Sequence, residues 1–278
     1  MKTLKTILIL CTALCFAASC KKQVDMTLKQ KTVLENADIQ QIAVSHAWPV
    51  TVVYDSTQTF VELEFSAYLE PYIKVRMDGT KLEVGFTGKV YAEPGSVFRA
   101  TVHMNQIEKL EAKEAAQVQC EGVFRGERLE VNLNEAAQCS GLAFEGAACL
   151  VVMREAALLT GFSHVGTAFN GSLSGASQFT GQVHASDSLD ISLSSASRFV
   201  SKGSETESAS IRLSDASLLN MAETVVKTME VELSGCSEAT VHVTDLLSGT
   251  LKEASTLYYK GNPQKDVECS DVSRLIPF

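Results

Sequence analysis

Three glutamates, Glu114, Glu135 and Glu155, stand 21 and then 20 residues apart, and each is followed by two alanines. Carboxylates repeated at one interval could share calcium, which takes roughly six to eight oxygen ligands. They could also supply the paired carboxylates of a glycosidase. His164 and His184, again 20 residues apart, could offer two imidazoles to a transition metal. Each set also has a plainer reading. Lys113 and Arg154 sit beside the glutamates and make them ordinary solvated surface charge. Hydrolysis needs an acid and a base in different environments, which a repeated glutamate does not provide. The histidines lack an evident third ligand, and Phe144 and Val123 precede them in the same alignment column. No phosphate-cradling glycine loop, zinc motif or outstanding serine–histidine–acid order occurs.

These residues share an interval because the chain itself repeats. "LSGAS" at 173–177 returns as "LSSAS", "LSDAS" and "LSGCS". Aligned on their small residue, the units fall at Ala115, Ala136, Ala156, Ala176, Ala196, Ala216, Cys236, Ala254 and Val272. The spacing is 21, then 20 five times, then 18 twice. Positions five and three residues earlier are almost all apolar with a polar residue between them, the period-2 mark of a strand with one buried face. Position +3 is apolar as well. A unit of this length is too short for two helices, so each reads as one coil of a parallel β-solenoid. The expected fold is all-β, a single-stranded parallel solenoid (β-helix) of about 20-residue coils with an irregular β cap at the N-terminus. In this reading the aligned small residue lies inside a tight corner, and serine at +1 lies outside it. Cys139, Cys236 and Cys269 then fall in core columns as reduced, structural thiols.

The N-terminus is read differently. Lys2 and Lys5 precede an apolar run from Ile7 to Phe16, and Ala17-Ala18-Ser19 leads to Cys20, as in a secretory signal. Small residues ending at a cysteine resemble a bacterial lipobox, which implies lipidation of Cys20. Expected boundaries are a lipoprotein signal peptide at 1–19, a lipidated tether at 20–35, an N-terminal β segment at 36–104 and solenoid repeats at 105–278. Residues 77–80, "MDGT", read as a hairpin turn. The net charge of -9, without basic blocks, argues against nucleic acid as a partner.

The lipobox, the segment "ADIQQIAVSHAWPVTVVY" and the recurring "LSGAS" corners together resemble the head GIN domain family, whose members are labelled auto-transporter adhesins. The resemblance spans about 36–275. It implies a β-solenoid in the bacterial cell envelope, as an outer-membrane lipoprotein facing the periplasm or the surface, and it supplies no catalytic residues. The expected function is non-enzymatic: an adhesin-like rod, held to the membrane by its N-terminal lipid, that binds a glycan or an envelope protein. A carbohydrate-active enzyme and a purely structural spacer are the alternatives. Expected site residues are Cys20 for lipidation and Glu114, Glu135 and Glu155 as a ligand ladder open to calcium. His164 and His184 are weaker metal candidates. Self-association through the C-terminal coil is a further option.

Overall fold

The computed structural model describes residues 24–278, so the signal segment and Cys20 lie outside the described residues. The chain begins with β1 (Leu28–Val33), β2 (Gln41–Val44), β3 (Pro49–Tyr54) and β4 (Phe60–Ser66). One 3-10 turn (Ala67–Tyr72) leads to β5 (Ile73–Asp78), β6 (Lys81–Phe86) and β7 (Phe98–Met104). The repeats supply β8 (Lys109–Ala112), β9 (Gln117–Glu121), β10 (Val123–Leu133), β11 (Gln138–Ser140), β12 (Ala143–Met153), β13 (Leu158–Leu173) and β14 (Gln178–Leu193). They end with β15 (Arg198–Lys202), β16 (Thr206–Leu213), β17 (Leu218–Leu233), β18 (Glu238–Leu251), β19 (Thr256–Lys260), β20 (Gln264–Cys269) and β21 (Arg274–Pro277).

The repeat register in the sequence is the register of the ladders. Leu110 pairs with Val131, Val131 with Val151, Val151 with Gly171 and Gly171 with Ile191. On the far side of the corner, Val118, Cys139, Leu159, Phe179 and Phe199 form a second column. Phe179 and Phe199 stack within it at 4.4 Å. The parallel coils make a β-solenoid of about eight turns. Burial of these apolar columns is the main favourable term, and their side chains fill the interior from end to end.

Each corner is a two-residue arc. In the corner Ser194–Ser197, Ser195 and Ala196 have φ of 56° and 59°. The amide of Ser197 returns to the carbonyl of Ser194 at 3.3 Å. Two consecutive positive φ values define a type I′-like turn. Here its two arms pair with neighbouring coils and not with each other. The arc also carries the ladder onward: Ala196 N–H donates to Asp215 O at 2.8 Å, Ser194 N–H to Leu173 O and Arg198 N–H to Ser177 O.

This geometry corrects the corner register. The aligned alanines from Ala115 to Ala216 are exposed and Ala254 is half-buried, and the +1 residues are the buried ones: Ala116, Ala137 and Ala157, then Ser177, Ser197, Ser217, Ser237 and Ser255. Successive left-handed residues swing the chain outward at position 0 and bring +1 back inside. Ser177 Oγ and Ser197 Oγ each donate to a carbonyl three residues back at 2.7 Å, whereas Ser237 Oγ and Ser255 Oγ donate to Leu213 O and Leu233 O of the coil before. Position 0 is left-handed, a region costly for L-residues and worst for β-branched ones, and alanine or cysteine holds it in every corner from 115 to 254. Cys236 occupies this position and is exposed, as is Cys269 in the last coil, so neither packs in the core; Cys120, Cys139 and Cys149 do.

The two ends differ. β6 and β7 lie parallel beneath β2 and β3, while β8 and β9 lie above them. The chain therefore forms one coil, leaves it to build a cap, and returns one level higher. β4 covers β7 and β1 covers β4, both antiparallel, and β5 covers β6 through a hairpin at Gly79-Thr80. Leu28–Val33 is thus an ordered strand, and the tether expected at 20–35 ends before it, because β4 offers an edge to pair. At the C-terminus, Lys265 enters a column that is apolar in the coils before it, above Leu247. Its ammonium lies 5.5 Å from the Tyr259 ring centre. An inward charge on an open edge discourages strand addition.

The corner makes a signed prediction. Ala196→Gly should leave stability unchanged or raise it by up to about 1 kcal/mol, since relief of the left-handed cost offsets glycine's added unfolded-state entropy. Ala196→Val should lose about 2 kcal/mol or more in urea unfolding. Equal stability of the two variants would refute the left-handed requirement.

Candidate functional site

The glutamate row is first of all backbone. Glu114, Glu135 and Glu155 have φ of 55°, 53° and 56° and hold the first arc position. Their carbonyls take the ladder: Ala115 N–H donates to Glu135 O and Ala136 N–H to Glu155 O, both at 2.8 Å. Among the described residues, no group of three or more His, Cys, Asp or Glu is placed to hold a metal ion. Only Glu114 of the three approaches the nitrogen of a basic side chain, His46 at 3.3 Å and Lys113 at 3.6 Å.

His164 and His184 do not meet as a ligand pair. Gly161, at φ +61°, forms a bulge that shifts the register, so His164 pairs with Val183 and His184 with Val165. The shift turns one ring in and leaves the other half-exposed. His164 is fully buried above Phe124 and Phe144, its ring 5.9 Å from Phe144. Nε2 lies 3.2 Å from Ala168 O, while Nδ1 has no partner. Burial holds its pKa below the ordinary histidine value, the Ala168 carbonyl opposing that shift only in part. The buried thiols are similarly inert: burial pushes Cys149 far up, and Cys120 rises through its contact with Cys139 and its burial.

Two surfaces have the shape of a binding site. One is a groove of about 740 Å3 along the rod axis, running from Arg128 to Ser248 across successive coils. Small residues Ala148, Ala168, Ser188, Ser208 and Thr228 line it beside a row of Leu150, Asn170, Asp190, Ser210 and Glu230. The other is a cleft of about 410 Å3 between the β5–β6 hairpin and the corners at 45–48 and 113–116. Lys74, Lys81, Lys113, Glu83, Glu111 and Asn134 are among its walls. Hydrogen bonds from Arg76 and Lys74 hold Glu83 down to about 2. For Glu111 burial acts upward, but Lys81 and Lys109 outweigh it and the carboxyl stays ionised.

At the back of this cleft Ser45 Oγ lies 2.8 Å from His46 Nδ1, and His46 Nε2 faces Glu114. A Cβ on Gly85 would fall 2.6 Å from Ser45 Oγ, so a side chain there would displace the Ser45 hydroxyl from His46. Sequence reasoning missed this cluster. The signal was present, since "SHAW" at 45–48 has the corner pattern of "KEAA" at 113–116, but residues 49–112 separate the two.

A capped parallel β-solenoid with repetitive polar faces belongs to the class of repeat architectures in which each coil packs on its neighbours. The sequence profile described as "Putative auto-transporter adhesin, head GIN domain" matches residues 38–263, and the chain belongs to that family. A putative adhesin from Parabacteroides merdae shares the fold with a TM-score of 0.66 at 16% identity, covering 92% of this chain and 98% of that one. A putative adhesin from Parabacteroides distasonis gives 0.56 at 17%, covering 91% and 98%. A protein of that species described as a putative lipid binding protein gives 0.59 at 13%, covering 90% and 97%. No curated protein matches the sequence.

The buried histidine sets a pH dependence. Because the folded pKa of His164 lies below its unfolded value of about 6.5, protons bind the unfolded chain more tightly. Its neutral form therefore supports the fold above about pH 6.5, and that support is lost as pH falls through the depressed folded value. His164→Phe should flatten the acid limb of a stability–pH curve measured by thermal melting. An unchanged acid limb would contradict the assignment.

Proposed function

We propose that this chain is a non-enzymatic envelope lipoprotein that holds an extended glycan along its rod. The axial groove carries the reading. Its rungs repeat at the strand spacing of about 4.8 Å, and hydroxyl, amide and carboxylate groups recur along it. A polymer with regularly spaced hydroxyls could bond several rungs at once, gaining avidity from contacts that are individually weak. The solved neighbour described as a lipid binding protein raises an acyl chain as a second ligand class; Asn170, Asp190 and Glu230 in the groove disfavour it. The glutamates at the corners serve the arc, and the reading assigns them no catalysis.

Attachment through Cys20 would leave the rod on a tether ending near β1, and no helix among the described residues is long and apolar enough to span a membrane. Cys20→Ala should move the protein from the membrane fraction to the soluble fraction. Retention in the membrane would sink the anchor.

For binding, affinity electrophoresis of the purified protein through gels containing individual polysaccharides should give retardation by at least one of them. Ser188→Trp, which fills the groove, should cut that retardation at least tenfold with the thermal melt unchanged. Undiminished retardation would remove the groove from the account. Polysaccharide cleavage abolished by Glu135→Gln would overturn the non-enzymatic reading.

A further inference from the structure

We propose that the cleft between the cap hairpin and the first two corners is a second site, which takes one carboxylated sugar residue of the uronic type. The inference rests on the glycan-binding reading and deepens it, but the site is separate from the groove.

The cleft forms where the repeat is interrupted. β6 lies beside β2 in the coil below, and β8 lies beside β2 in the coil above. The β5–β6 hairpin and the corner at 113–116 therefore bring side chains from four separate strands and turns to one hollow of about 410 Å3, room for a single hexose-sized ligand. Cross-coil ion pairs such as Arg125–Glu145 and Lys227–Glu207 also occur along the rod, but in this hollow three lysines and two carboxylates face one another across a single cleft. Three ammonium groups, Lys74, Lys81 and Lys113, meet two carboxylates, Glu83 and Glu111, so the lining carries a net positive charge on a chain whose net charge is -9.

Lys74 and Lys81 are oriented by Glu83 and Glu111. Lys113 is more than half exposed and 3.6 Å from Glu114, too far for a good hydrogen bond, so its ammonium is free to swing onto a bound anion. The carboxylates and Asn134 offer acceptors and an amide for ring hydroxyls, the planar polar groups that sugar recognition needs. His46 Nδ1 is hydrogen-bonded to Ser45 Oγ, its Nε2 lies 3.3 Å from Glu114 Oε2, and Gly85 leaves room for the Ser45 hydroxyl, so Ser45 and His46 form the rear wall. A neutral sugar would leave Lys113 without a close counter-anion, and a bare carboxylate would leave the acceptors unused. The combination selects a ligand carrying both.

The test is saturation-transfer NMR on the purified chain with glucuronate, glucose and acetate as probes. Glucuronate should give a saturable signal, and glucose and acetate should give little. Lys81→Gln combined with Lys113→Gln should weaken glucuronate binding at least tenfold with the melt unchanged. Lys252→Gln, at a distant surface, should not. The groove variant Ser188→Trp should keep glucuronate binding, which separates this site from the groove. No glucuronate signal, or one that survives the double lysine variant, overturns the inference even if polysaccharide retardation persists. Equal signals from acetate and glucuronate would overturn the sugar assignment.

Discussion

Each repeated coil turns through two consecutive residues of which at least the first has positive φ, and both do in all but the last corner. A left-handed pair bends the chain sharply while leaving its amides and carbonyls directed along the rod axis. The N–H of the second residue bonds forward to the next coil, and the amides on either side bond back. The corner therefore costs local strain and leaves the amide of its first residue without a backbone acceptor, while the second residue carries the ladder to the next coil. A buried backbone with unpaired groups at every turn would be far less stable. The arc fixes where the core columns fall, which residues can occupy the surface and how far apart like residues stand.

That constraint explains chemistry that looks functional in one dimension. Glutamate, aspartate, serine and glycine alternate at the first arc position, a mixed set joined by residence in one backbone conformation. The serine after the arc is buried because its hydroxyl closes the turn, and alanine substitutes for it in the first three coils. Repetition gives the protein a long groove with regular rungs. Where repetition fails, at the cap, strands from outside the register add a second wall, and the mixed-charge cleft is found there.

Much of the fold was legible in the sequence. Apolar columns at -5, -3 and +3 gave the ladder register residue for residue, because stacked positions must share burial. The corner itself was read one residue off: small size at position 0 signals a left-handed backbone as readily as burial, and composition does not separate them. His164 and His184 were placed side by side because a single bulge at Gly161 is invisible to a fixed offset. The Ser45–His46–Glu114 cluster was hidden by topology, since the coil containing "SHAW" precedes the cap in sequence and stacks against coils that follow it. Ligand preference is the least legible property, because it depends on surface groups that the repeat leaves free to vary.

The most direct measurement of the central claim is amide hydrogen exchange, resolved by residue, across the corners. Ala136, Ala156, Ala176, Ala196 and Ala216 should exchange as slowly as strand amides although they lie in turns, because each donates to the coil above. The residue before each has no backbone acceptor for its amide and should exchange quickly, so fast and slow amides should alternate at every corner with the repeat interval. Fast exchange of the alanine amides, equal to that of the residues before them, would contradict the continuous ladder.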